Sequence, residues 1–359
     1  MSVTDLTREL VRTPSHEDET VAGDLLEEWL RRETAAEVTR DEVGNVLARK
    51  GAGEETLALV GHHDVVAPAD SQVVAGGDEY VVEERDGRLY GRGTADMKGA
   101  VAAAAIAFRD ADPAGKLVFA SFVGEEVGGV GARHAIENGF APDYAIVGEG
   151  STGYSAPGVT DVAVAHKGRR GSTITARGER AHASEQEAGA NAIYRASDAV
   201  DVVRNLEAPT VEVAGERLAG SVVVTEIEGG TAMNVVPDRC ELTVDERTVP
   251  GERATLERVE DLEGVEWTID QDLPPMECDD EAFAEAVLEA ADGAQSDSPK
   301  LVTKPHATDA GWLSQAGTEC VICGASEPGE AHTDTESVSI AVLERCVDLY
   351  RRAAETWPR

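Results

Sequence analysis

The sequence predicts an α/β protein built on a mostly parallel sheet and interrupted in its second half by a smaller α+β domain. Three observations lead there. Short, continuously apolar strands alternate with helical stretches over residues 1–166 and again over 272–359. From Lys167 the strands alternate apolar with polar residues instead, which is the pattern of a sheet with one solvated face, and this defines an inserted domain over residues 167–271. Finally, histidines and carboxylates fall just past the ends of the apolar strands, where open α/β sheets gather their sites.

In chain order, residues 1–33 read as helix, with Leu6, Leu10 and Val11, then Val21, Leu25, Leu26 and Leu30 at helical spacing around the turn at Thr13, Pro14 and Ser15. Residues 45–48 and 56–60 read as strands, the second apolar enough for a buried sheet. An Ala-rich helix is expected over 97–108, followed by buried strands over 116–122 and 144–147. In the inserted domain, residues 172–177, 222–227 and 241–247 alternate as half-buried strands, and 191–206 is helical. Helices over 281–291 and 337–356 complete the α/β part, with a surface loop over 292–299 between them.

Charge narrows the function classes. The chain has 69 acidic and 32 basic residues, a net charge of -37. Such a surface repels phosphate backbones and anionic lipid, so nucleic acid and membrane partners are not expected. No apolar run approaches the length of a membrane span, and the acidic, amphipathic start lacks the pattern of a signal peptide, so a cytoplasmic location is expected. Acid excess with few lysines resembles cytoplasmic proteins of extreme halophiles, where molar salt screens self-repulsion, and a halophilic archaeal origin is the expectation. The five cysteines form no disulfide framework. Cys320 and Cys323 lie on one short strand whose alternation sends them to opposite faces, so they read as core residues and not as a metal pair.

Five short stretches carry the chemistry: Gly61-His62-His63-Asp64, the run from Gly93 to Gly99 that contains Asp96, Gly124-Glu125-Glu126, Gly148-Glu149-Gly150, and Ala331-His332-Thr333. Together they offer two histidines, several carboxylates suited to binding or assisting divalent cations, and a spare glutamate beside a candidate ligand. In this order, and over nearly the whole chain, they resemble the dinuclear-zinc peptidase and deacylase family. That family includes acetylornithine deacetylase, succinyl-diaminopimelate desuccinylase and glutamate carboxypeptidase.

The resemblance implies a hydrolase-like catalytic domain and a ferredoxin-like lid or dimerisation domain. It implies two divalent ions, zinc with cobalt tolerated, held by His62, Asp96, Glu126, Glu149 and His332, with Asp96 bridging. His63 is the alternative to His62, but the family spacing, with Asp64 two residues on, favours His62. Asp64 would orient the His62 imidazole. Glu125 would be the general base, taking a proton from water and passing it to the leaving amine. His182 would steady the oxyanion, from the neighbouring subunit in dimeric members, while Asn234 and Arg247 would contact the substrate. His134, His166 and His306 are not expected as ligands, although His306 lies in a segment that borders substrate in the family.

The implied activity is hydrolysis of the amide of a small N-acyl amino acid, of acetylornithine or succinyl-diaminopimelate type, by a homodimer. The alternatives are a carboxypeptidase or dipeptidase, a hydrolase releasing lysine or ornithine from a carrier protein, or, remotely, an inactive binding homologue. Two departures from the family pattern bear on the substrate and not on the metals. Residues 324–332 replace a common Gly-Pro-Gly run, and Ala67 stands between Val66 and Pro68.

Overall fold

The computed structural model describes residues 1–76 and 79–358. They divide into two compact units, one of residues 1–165, 276–304 and 308–359, the other of residues 166–275 and 305–307.

A nine-stranded sheet organises the first unit. Its centre is parallel, in the order Lys116–Phe122, Thr56–His62, Tyr144–Val147 and Glu319–Ile322. Each of these strands is buried almost throughout, as an apolar run covered on both faces must be. The margins are antiparallel: Glu37–Arg40 pairs with Val46–Gly51, which pairs with Lys116–Phe122, and Val162–His166 pairs with Glu319–Ile322. The first margin follows from a short connection. Asp41 Oδ1 accepts the backbone N–H of Val43, Gly44 and Asn45, and a turn that tight returns the chain antiparallel.

Helices cover both faces of this sheet. The helix Gly99–Asp110 packs with Val3–Arg12 and Ile340–Thr356, and Gly99 through Phe108 are all buried. Its alanines suit a helix buried on every side, where small side chains let neighbours approach closely. Ala132, Ala135, Ala310 and Leu313, from the helices Val130–Glu137 and Asp309–Gln315, share a core with Ala58, Val60, Val118, Ala120, Phe122 and Val147 from the strands.

Three boundaries differ from the sequence expectation. The break between the two N-terminal helices, Val3–Arg12 and Thr20–Glu33, runs past the expected turn at residues 13–15 as far as residue 19. The Ala-rich helix begins at Gly99 and not at residue 97, because Asp96 (φ -127°) and Met97 (φ -133°) leave the helical region. Residues 337–339 open the last element as a strand against Arg88–Tyr90, and the helix follows as Ile340–Thr356.

The second unit holds a four-stranded antiparallel sheet in the order Ser221–Gly229, Arg239–Thr248, Gly168–Arg177, Val265–Leu273. Chain order and sheet order together give the ferredoxin-like βαββαβ pattern, with Ala192–Arg204 as first helix and the short 3₁₀ segment Leu256–Asp261 in place of the second. Ile174, Ala176, Leu242 and Val244 face Ala192, Ala196, Ala199 and Val203, so the alternating strands bury one face only. A hairpin, Thr210–Val213 with Glu216–Ala219, is added between helix and edge strand. Among the described residues all five cysteines are free, and no helix is long and apolar enough to cross a membrane.

Candidate metal centre

The parallel strands deliver the site. His62 is the last residue of Thr56–His62, Glu125 and Glu126 follow Lys116–Phe122 after Val123 and Gly124, and Glu149 lies two residues past Tyr144–Val147. Asp96 comes from the extended segment before the Ala-rich helix, and His332 from the loop before the last strand.

Asp96 stands between the two histidines. Its Oδ1 lies 3.3 Å from His62 Nε2, and its Oδ2 lies 3.2 Å from His332 Nε2. Glu149 Oε1 is 3.4 Å from His62 Nε2, and Glu126 Oε1 is 3.0 Å from His332 Nε2. Two groups of donors, His62–Asp96–Glu149 and Asp96–Glu126–His332, share the Asp96 carboxylate, and a third, His62–Glu125–Glu126, brings Glu125 close to the same histidine. Donor atoms 3.0–3.4 Å apart have the spacing that ligands adopt when each sits ~2.0–2.2 Å from one ion.

The electrostatics ask for cations in the same places. Burial opposes charge on His62, yet Asp64, Asp96 and Glu149 outweigh it and push its pKa well above the usual imidazole value. Hydrogen bonds to Asp96 and Glu126 raise His332 to about 10. Burial works against the Asp96 carboxylate, but His332 and His62 hold its pKa well below the usual range. In the chain by itself both imidazoles act as counter-charges, a task that divalent ions perform better while leaving each Nε2 lone pair as a ligand. His and carboxylate donors of this kind suit zinc and its neighbours.

Asp64 is fixed in an orienting position. His62 Nδ1 donates to the Asp64 backbone carbonyl at 3.1 Å and lies 3.3 Å from Asp64 Oδ1. Both Asp64 oxygens also accept backbone N–H groups, from Glu125 (3.1 Å) and Glu126 (3.0 Å). One buried carboxylate thus ties the strand end carrying His62 to the turn carrying both glutamates. His63, by contrast, turns away toward Ser121 Oγ at 2.9 Å and joins none of these donor groups. Burial, with Asp96 and Glu149 nearby, raises the Glu125 pKa well above an ordinary carboxyl. A carboxylate tuned upward in this way is a stronger proton acceptor than an ordinary one.

Three groups near the centre escaped the sequence reading. Lys304 Nζ, buried, lies 3.0 Å from Glu149 Oε2, so one oxygen of that carboxylate is held by an ammonium while the other faces His62. Asp309 is 4% exposed with neither oxygen hydrogen-bonded among the described residues, and burial pushes its pKa up to about 7. Glu336 accepts from the backbone N–H of Ala95 and Asp96 and pairs with Arg92. The available signals were Lys304's place among only six lysines and the spacing of Glu336 four residues past His332.

The remaining sequence candidates belong to the second unit. His182 is exposed at the start of a 3₁₀ segment, its Nδ1 2.7 Å from Ser184 Oγ. It pairs in register with Val235, and Ala183 N donates to Asn234 O, so His182 and Asn234 are neighbours. Arg247 stands apart on the solvated face of the sheet, where its Nε donates to Asp245 Oδ1 at 2.8 Å.

Comparison with known proteins agrees with this geometry. Residues 58–356 match the family described as peptidase family M20/M25/M40. Acetylornithine deacetylase of Myxococcus xanthus is 33% identical over 333 residues, covering 86% of this chain and 83% of that protein. Succinyl-diaminopimelate desuccinylase of Stenotrophomonas maltophilia is 30% identical, covering 99% of this chain and 98% of that protein. Among solved structures, aminopeptidase PepT of Bacillus cereus shares the fold with a TM-score of 0.78 at 20% identity, over 98% of this chain and 97% of that one.

Proposed function

The chain belongs to peptidase family M20/M25/M40, hydrolases of amide and peptide bonds, and on that premise we propose that it removes the acyl group of a small N-acyl amino acid. Acetylornithine and succinyl-diaminopimelate are the substrate types its curated relatives favour. The observation that carries the chemistry is the Asp96 carboxylate spanning His62 and His332, with Glu125 next to a ligand-grade glutamate.

His62, Asp96 and Glu149 would hold one divalent ion and Asp96, Glu126 and His332 the other, zinc by preference with cobalt accepted. When bound, such a pair supplies Lewis acidity and lowers the pKa of water toward ~7. Asp64 keeps the His62 ring turned so that Nε2 faces the carboxylates. Glu125 takes the proton from the attacking water at its carboxylate oxygen and delivers it to the departing nitrogen. His182 steadies the oxyanion, and Asn234 and Arg247 recognise the amino-acid part of the substrate; the pairing of His182 with the Asn234 segment supports a shared task.

The chain works as a homodimer. Support comes from the edge strand Ser221–Gly229, unpaired on one side among the described residues and exposing Val223 and Ile227, beside the exposed Ile193 and Tyr194. A cytoplasmic location is supported by five unpaired cysteines, which suit a reducing compartment.

A panel of N-acetylornithine, N-succinyl-diaminopimelate, other N-acyl amino acids and dipeptides, with zinc or cobalt added, tests the proposal. Turnover of one acylated diamino acid is expected, falling by about 10²–10⁴ in Glu125→Gln. Cleavage of dipeptides alone would move the chain to the peptidase branch. Metal binding with no turnover of any compound, in the parent or the variant, would favour a non-catalytic homologue.

A further inference from the structure

Asp96 has to present one oxygen to each histidine while surrounded by Glu126 and Glu149, carboxylates that repel it. Its backbone does little to keep it there. The preceding turn runs through Gly93 in the left-handed region (φ +83°), and Asp96 and Met97 are non-helical, so the Asp96 amide is not part of a regular helix. Backbone bonds from Thr94 N to Gly91 O and from Lys98 N to Gly93 O close the turn, but the amides of residues 95 and 96 are taken by a side chain about 240 residues away. Glu336, 1% exposed, uses Oε1 to accept from Ala95 N (2.9 Å) and Asp96 N (3.1 Å). Its Oε2 accepts from Arg92 Nη1 at 2.6 Å.

The same residue belongs to the His332 loop. The Glu336 carbonyl accepts from Gly91 N, and its own N–H donates to Thr333 O, which also accepts from Gln72 Nε2. His332 adopts φ +64°, a left-handed conformation uncommon outside glycine. Arg88 braces this loop, since it bonds Glu327, Glu330 and Ser337 on either side of His332. One buried carboxylate therefore joins the segment of the shared ligand to the loop of a histidine it must face.

We infer that Glu336 is a positioning residue for the metal centre, setting the Asp96 carboxylate between His62 and His332 through the backbone amides of residues 95 and 96. Arg92, itself buried, sets an opposite charge 2.6 Å from this carboxylate, so neither charge is left alone out of water. This role rests on the two-ion reading of the site.

Titration of the metal-free full-length protein with Zn²⁺ alone, and with Co²⁺ followed by visible absorption, separates positioning from mere stapling. The parent chain must first bind two equivalents; fewer would sink the two-ion reading, and this inference with it, before any variant is compared. Two double variants then remove the buried charges together. Arg92→Leu with Glu336→Gln keeps a neutral oxygen for the two amides, whereas Arg92→Leu with Glu336→Leu keeps none. The leucine pair should bind metal about 10–100-fold more weakly and show altered Co²⁺ bands, with the glutamine pair near the parent. Equal affinities in the two pairs, or a lower melting temperature with affinity intact, would overturn the inference. If the leucine pair does not fold, Glu336→Asp takes its place, retaining the charge but withdrawing the carboxylate by one methylene. Parent-like affinity and Co²⁺ bands in that variant would equally overturn it, and a 10–100-fold loss would support it.

Discussion

Two adjacent histidines at the end of one strand show how far a residue's neighbours decide its chemistry. His62 faces three carboxylates and is driven toward the charged form. His63 points to the other face, bonds only Ser121 Oγ, leaves Nε2 without a partner among the described residues, and is held by burial at a pKa of about 3. Below its ordinary value near 6.5 an unfolded chain protonates His63 while the folded chain does not, so unfolding takes up a proton. Stability from this group is complete above pH 6.5 and is lost as the pH falls toward 3. In His63→Asn, which can retain the bond to Ser121, the acid-side slope of unfolding free energy between pH 4 and 6 should be shallower by up to about 1.4 kcal/mol per unit. Denaturant melts across that range check it, and identical slopes would show that His63 titrates normally. At this scale the sequence was most legible for donors inside short motifs, because strand-end loops converge whatever lies between them. Lys304 and Glu336 were not legible, since each acts through a contact that only the folded chain creates, and Asp309 was not, since only folding buries it.

Elements were legible in proportion to how strongly burial shaped their pattern. The central strands are apolar runs because both faces are covered, and they were placed to within a residue or two. The strand Val265–Leu273 went unread although Val265, Trp267, Ile269 and Leu273 alternate with Glu266, Thr268, Asp270 and Asp272, the period of a strand with one solvated face. The Ala-rich helix was started two residues early because its composition continues through Met97, whereas backbone contacts to Glu336 decide where it begins. Backbone crowding also controls where strands end. Gly324, just past Glu319–Ile322, packs so tightly on the end of Tyr144–Val147 that a Cβ there would come 1.9 Å from Gly148 O and 2.6 Å from Glu149 O. Neither carbonyl can yield without moving the Glu149 backbone. Gly324→Ala should lose at least about 1–3 kcal/mol of stability and weaken metal binding in the same variant. Gly171→Ala is the control, because its Cβ would meet only Gln271 at 3.8 Å, and it should change stability by less than about 0.5 kcal/mol. Equal effects of the two substitutions would mean that the strand ends tolerate the shift.

For the whole molecule, charge sets the working conditions. The net charge of -37 lies almost wholly at the surface, because the buried cations Arg92, Lys98, Arg170 and Lys304 are offset by buried acids such as Glu149, Glu246 and Glu336. Lys304 pairs with Glu149, Lys98 is buried against the carbonyls of Leu10 and Thr13, and Lys50 donates to those of Arg109 and Ala111. Many arginines are also committed to neighbouring acids, as in Arg88 with Glu327 and Glu330 or Arg170 with Glu246. The unmatched carboxylates are left to repel one another, and this penalty is larger in the compact state than in the expanded one. Mobile ions relieve it over a distance that shrinks from about 10 Å at 0.1 M to about 3 Å at 1 M salt. The melting temperature should therefore climb steeply from 0.1 to 1 M KCl. Simple screening predicts that most of the gain is complete by then, so a continued climb beyond 1 M would point to ions held by the acidic surface itself. Buried pairs are screened far less, so the metal affinity of the centre should change little over the same series once the protein is folded. A melting temperature that is flat in KCl would show that the acids lie far enough apart for water alone, and the halophilic interpretation of the composition would fail with it.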